Sequence, residues 1–286
     1  MNDVMPLEQK VALGVELRSN LDCIAEQLLH LEQVPCPVTH HFGPGVCFRE
    51  VLISAGTFAI GHHHNHEHMN MMLTGRATFL NDDGTTSELT APQMFISKPG
   101  RKIAFIHEDM RFINVFPTSD QDVEAIEDHY LTKSDVWLNA LTAADSVKRL
   151  RHEVDIADFE KAISEYGFSK ESVKEISENH SDLIDLPFGQ YKIKVGSSTI
   201  EGKGLFATAD IQPGEVIAPS RIGDKRTIAG RYVNHSLNPN AEMVLTETGM
   251  DLVATMEING CRGGYDGEEI TTDYRQALSL SSDRRN

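Results

Sequence analysis

Cysteine is scarce in this chain. Cys23, Cys36, Cys47 and Cys261 stand singly, with no CxxC pair. That spacing excludes a disulfide framework and a cysteine-rich zinc motif, and predicts reduced thiols in a cytoplasm. Long apolar runs are missing too, since no stretch approaches the roughly 20 residues of a bilayer-spanning helix. The opening "MNDVMPLEQK" lacks the basic-then-apolar order of a secretory signal. A cytoplasmic protein is therefore expected, in the host cytoplasm if the source is a virus, with no membrane partner. Positive charge is also in deficit, with 26 Lys and Arg against 43 Asp and Glu for a net charge of −17. Such a surface repels phosphate backbones, which excludes direct nucleic-acid binding. The deficit is uneven: residues 1–186 hold 15 basic against 30 acidic side chains, and residues 187–286 hold 11 against 13. An acidic body attracts a basic protein partner, although solubility alone also accounts for it.

What is present is a globular composition, 40% hydrophobic and 24% charged over 286 residues, with room for two ordinary domains. Leu17, Leu21, Ile24, Leu28 and Leu31 recur at helical spacing near the start. They predict a helix packed on its own domain, while the heptad-like spacing is equally that of a homo-oligomer seam. From about Gly43 to Pro117 short apolar segments alternate with turn signals such as "NDDG" and "KPG", the pattern of an antiparallel barrel or sandwich. Residues 119–182 turn helical, with Ser169 as a cap before "KESVKEISE", and a second strand-rich region opens near Pro187.

The densest chemical signal is "AIGHHHNHEHMNMMLTGRATF", with five histidines in seven positions from His62 to His68. On a regular strand His62, His64 and His68 share one side and His63 the other. Neutral imidazoles converging from one side suit Zn, Fe, Ni, Mn or Cu. The spacing of Gly56, His62, His64, His68 and Gly75 resembles the first motif of the cupin family, an antiparallel barrel. His68 stands where the family usually has Glu. Ile103 stands where the family's last histidine usually falls, and His107 is offered in its place. The resemblance thus implies a metal site of His62, His64, His68 and His107, but no particular reaction.

Three later stretches carry more. "STIEGKGLFATADIQPGEVI" holds a Gly-x-Gly turn and a "QPG" turn. "GRYVNHSLNPNAEM" packs Asn, Ser and Pro too closely for regular structure. "DGEEITTDYRQAL" ends a strand on an acid and a tyrosine. In this order they resemble the SET-domain family of lysine methyltransferases over about residues 188–278. The resemblance implies that Gly202, Lys203, Gly204, Asn234 and His235 bind S-adenosylmethionine, with Tyr274 beside the methyl group as the catalytic residue. It implies a neutral lysine amine as nucleophile and assigns Glu268, Glu269 and Asp273 to bracing the core. Only sixteen residues separate Ile217 from Asn234, Thr272 replaces a common aromatic, and no cysteine-rich tail follows Tyr274. Those departures resemble the compact SET proteins of bacteria and viruses.

The expected fold is mainly β with helical segments (α+β). It comprises an N-terminal helical segment (1–36), a cupin-like antiparallel barrel (37–118), a helical linker (119–186) and a compact SET domain (187–280). The expected function is an S-adenosylmethionine-dependent protein-lysine methyltransferase acting on a lysine-containing, basic protein, with an appended metal-capable barrel. The alternatives are an inactive SET and cupin binding protein, of viral type, and a metal-dependent cupin enzyme.

Overall fold

The computed structural model describes residues 21–81, 85–135, 137, 154–263 and 265–283. Strands dominate them, in keeping with the expected mainly-β class. Part of the helical stretch after Ser134, part of the "NDDG" turn and Leu17 of the first helix lie outside the described residues.

The first half is built on two long strands, β4 (His68–Leu80) and β7 (Gly100–Phe116). They pair with each other along most of their length. The amino half of β4 also carries β6 (Gln93–Ser97), and its carboxy half carries β5 (Thr86–Thr90). In the same way β7 carries β3 (Phe58–His64) at its start and β2 (Val46–Ile53) at its end. Register shifts in the β4–β7 ladder at Met72–Thr74 and Thr74–Ala77 mark where the two strands bend together. Gly75 sits there at φ +95°, where a Cβ would lie 2.6 Å from the Asp109 carbonyl oxygen, so only glycine lets the strands approach.

β1 (Val38–Gly43) extends this sheet beyond β2. Its free edge is taken by β9 (Gly189–Tyr191), which comes from the second half of the chain. The pairings run as an open path from β5 to β9, with β8 (Leu131–Thr132) on β3. The closed barrel expected from the sequence is therefore not found among the described residues, and the outer edge of β1 pairs with β9 instead.

The segment "QYKIKVG", which opens the second strand-rich region, divides at Lys192 between β9 and β10 (Ile193–Ser197). β10 opens a four-stranded sheet with β11 (Lys203–Ala207), β17 (Glu269–Thr272) and β14 (Asn234–His235). A second four-stranded sheet holds β12 (Val216–Ile222), β13 (Lys225–Arg226), β15 (Ala241–Leu245) and β16 (Gly249–Ala254). The expected "QPG" turn forms, with the Glu215 amide donating to the Gln212 carbonyl and Gly214 at φ +81°. Ser169 caps the helix Lys170–Glu178 as expected. One apolar cluster runs from Phe42, Cys47 and Phe116 into Ile193, Leu205 and Ile270, so the two halves share a core.

Candidate functional site

Strand alternation directs Arg49 and Val51 of β2, His62 and His64 of β3, His68, Asn70 and Met72 of β4, and Asn114 of β7 to the interior of the first half. Arg49, Asn114 and Asn70 face one another in register across three adjacent strands. Asn114 Nδ2 donates to Asn70 Oδ1 at 2.8 Å, and Asn70 Nδ2 donates to Ser97 Oγ at 2.7 Å. Arg49 and Asn114 of this row line a cavity of about 550 Å³, whose walls also include His62, His64, Phe112 and Trp137. The helix Leu21–Leu29 covers part of it through Ala25 and Leu28, the own-domain packing suggested by its spacing. Arg49, Asn70 and Asn114 belong to no motif and are not singled out by the sequence. Their signal is phase, since each falls on the same side of its strand as buried apolar neighbours.

The histidines divide. His64 and His68 lie face to face, ring centroids 4.1 Å apart and 11° from parallel, beneath Phe116. His62 packs edge-on to Trp137 at 5.0 Å. Burial holds His62 down at about 4 and His64 at about 3, and also lowers His68, so these rings are neutral at physiological pH. His68 Nδ1 donates to the His66 carbonyl at 3.0 Å, which leaves Nε2 with the lone pair. That Nε2 and His64 Nδ1 are buried with no protein partner.

His107 is elsewhere. It bonds Thr78 Oγ1 at 2.7 Å. β3 meets β7 with His64 opposite Gly100, seven positions along β7 from His107. At about 3.3 Å per strand residue the two are roughly 23 Å apart along the strand. The expected ligand set His62, His64, His68 and His107 is therefore not one centre. Ring stacking also aims the His64 and His68 lone pairs in parallel planes, whereas a metal needs them to converge. Among the described residues no three His, Cys, Asp or Glu side chains gather as a metal would require.

The second site lies in the other half. β14 and β17 run parallel, pairing Asn234 with Thr271 and His235 with Thr272. Asn234 Nδ2 is held by the Glu201 and Lys203 carbonyls and by Glu269 Oε1, at 2.8–3.2 Å, which joins the Gly-x-Gly turn to both other motifs. Gly204 leaves room for that carboxylate, because a Cβ there would lie 2.3 Å from Glu269 Oε1. Gly202 turns at φ +54° with open space on its Cβ side. Asn240 clamps β17 twice, donating to the Glu269 carbonyl and accepting from the Thr271 amide, both at 2.8 Å.

Tyr274 follows directly. Its hydroxyl donates to the Val233 carbonyl at 3.0 Å, and burial, with help from Glu269, pushes its phenol up to about 12. Its amide donates to His235 Nδ1 at 3.2 Å. His235 Nε2 must then carry the proton, and it faces Asp158 Oδ2 at 3.1 Å. Asp158 belongs to the helical residues 154–164, within the segment read as a linker. From the same helix Asp155 accepts from Ser236 Oγ and the Leu237 amide, both at 2.9 Å, and Phe159 packs on Tyr274. Asp158 and Glu165 also hold the Arg275 guanidinium. The linker is thus latched over the second and third motifs. Lys203, read as a cofactor contact, directs its Nζ to Glu124 at 2.9 Å, so only its backbone is left for such a role.

No family model and no curated protein matches this chain. Solved structures that align with about a third of this chain include cupins. Ectoine synthase from P. lautus aligns at 17% identity and a TM-score of 0.29, over 37% of this chain and 83% of its own. An RmlC-like cupin with a double-stranded β-helix fold from Methanocaldococcus jannaschii aligns at 11% and 0.26, over 29% and 81%. A cupin-2 domain protein from Shewanella frigidimarina aligns at 12% and 0.25, over 35% and 98%. None of the three is described as a SET-domain protein, so the SET resemblance stands on the motif residues alone.

Proposed function

We propose that the second half is an S-adenosylmethionine-dependent protein-lysine methyltransferase of the SET type. One observation carries the reading: hydrogen bonds of Asn234, His235 and Asn240 tie three motifs far apart in sequence into one cluster that adjoins Tyr274. Asn234 ties the Gly-x-Gly turn to β17, His235 receives the Tyr274 amide, and Asn240 clamps β17.

S-adenosylmethionine, when bound, supplies an electrophilic methyl group. The open side of the turn at Gly202 and the backbones of Lys203, Gly204, Asn234 and His235 are the groups that would hold it. Tyr274 keeps its proton at physiological pH and can orient a lysine amine through its hydroxyl oxygen. The amine must arrive neutral, which partial desolvation favours. Positioning is then the protein's main contribution. Glu269 is engaged by Ser198 and Asn234, Glu268 by the Asn259 amide and Asp273 by the Arg275 amide. They brace the site and are not placed to transfer protons.

Calorimetric titration of S-adenosylmethionine into the full chain tests the cofactor half. Saturable one-to-one binding is expected, at least tenfold weaker in Asn234→Ala. Methyl transfer to a lysine-rich basic protein should vanish in Tyr274→Phe while the thermal midpoint stays within a few degrees. Absent cofactor binding by a folded protein would make this half a structural module.

A further inference from the structure

We propose that the cavity of the first half binds a small organic anion with an apolar body, and that Arg49, not a metal ion, is the fixed cation that receives its carboxylate. The proposal does not rest on the methyltransferase reading. Its first support is local charge. On a chain of net charge −17, the described residues that border the cavity include Arg49, Arg101 and Lys102 and, among carboxylates, only Glu32. A cavity that inverts the sign of its own protein attracts anions and discourages cations.

The second support is the placement of Arg49. It projects inward from β2 between Cys47 and Val51, and its side chain is 18% exposed. Its ion-pair partner is Glu127, met through Nε at a long 3.4 Å, and that carboxylate is shared with Lys133 Nζ at 3.4 Å. One carboxylate between two cations leaves the trio with a net positive charge, and of the three Arg49 lies on the cavity wall. A guanidinium presents its donors in a planar fork that matches a carboxylate. Asn114, directly opposite Arg49, adds an amide from the neighbouring strand.

The third support is the remaining lining. Val51, Ile53, Met110, Phe112, Leu131 and Trp137 offer an apolar bed. At about 550 Å³ the space falls in the range of small-molecule sites, roughly 300–1,000 Å³. Fixed cations set beside this apolar bed favour an amphiphilic anion over a sugar or an inorganic ion.

Trp137 is the only tryptophan of the chain and lines the cavity, so its emission reports occupancy directly. The full-length protein, treated with a chelator, is titrated with octanoate, octanol and octylammonium while Trp137 fluorescence is followed. Octanoate should bind saturably and at least tenfold more tightly than octanol, and octylammonium should bind more weakly than either. Arg49→Met should erase the octanoate preference, and Arg49→Lys should restore part of it, with circular dichroism confirming the fold. Equal binding of octanoate and octanol by the wild type would overturn the proposal without recourse to any variant. So would octanoate binding that appears only when zinc or manganese is added back.

Discussion

Asp158 is the side chain whose importance is least visible in the sequence and most visible in the structure. It accepts from His235 Nε2 and, at 2.6 Å, from Arg275, and so fixes the imidazole that receives the Tyr274 amide. It acts on Tyr274 through His235 and is a positioning residue. The Arg275 hydrogen bond first, and His235 after it, lower its carboxyl from 3.8 to about 2. A depressed acid stabilises the folded state above its unfolded pKa, and that contribution is lost as pH falls toward the folded value. The latch of residues 154–164 should hold above about pH 4 and loosen toward pH 2. Protection of those amides in hydrogen exchange should drop over that interval in the wild type. In Asp158→Asn it should already be low at pH 5, and indifference of the latch to this change would sink the assignment. If the methyltransferase reading holds, the same variant should lower kcat with little change in S-adenosylmethionine affinity, because the disturbed group is the tyrosine amide.

At the scale of elements, glycine positions separate conformational strain from collision. Gly45, in the β1–β2 turn, has φ +71° and open space for 4 Å around the place a Cβ would occupy, whereas Gly75 has φ +95° and backbone oxygens at 2.6 and 2.8 Å from that place. Gly45→Ala should cost about 1 kcal/mol, the strain of the left-handed region alone. Gly75→Ala should cost about 3 kcal/mol or more, because β4 and β7 must also separate. Urea unfolding of the two variants checks the ordering, and equal costs would contradict the role given to the strand crossing. The glycine was legible as a motif position, while its physical reason lies on a partner strand. The same division explains what else the sequence disclosed. Period-two alternation placed His62 and His64 inward, and local turn and cap chemistry placed "QPG" and Ser169. Neither face nor register followed from spacing: His107 lies on the side of β7 that carries exposed Phe105, opposite Ala104, Met110 and Asn114, where it meets Thr78, and the pairing of β3 with β7 sets its distance from His64. Nor could local pattern show that a linker helix would reach Ser236 and His235, since those bonds span about 80 positions of chain.

At the scale of the molecule, composition and pattern divide the chain near residues 118 and 186, but packing runs straight through. β1 pairs with β9, joining His40 to Tyr191 and Phe42 to Gly189. The Val38 amide donates to the Thr208 carbonyl at 2.9 Å, and Thr208 Oγ1 donates back to the Val38 carbonyl at 2.6 Å. Cys36 and Cys261 join through the backbone, and Tyr265 reaches the Leu29 carbonyl. Lys194, half-buried on β10, pairs with Asp266, and the field of Glu127 from the first half adds to that of Asp266 in keeping it charged. Separating the halves would expose Tyr191 and Ile193, leave β1 with an unpaired edge and remove a counter-charge from Lys194. Residues 187–286 alone should therefore lack cooperative unfolding. In the full chain, urea midpoints read from Trp137 emission and from hydrogen exchange on β17 should coincide, because the two probes sit on opposite sides of one shared core. Midpoints that differ by more than the error of the fits, together with a fragment that unfolds as sharply as the whole, would show two independent domains. The latch on Tyr274 would then be a contact between neighbours, whereas coincident midpoints make the cavity and the motif cluster parts of one folding unit.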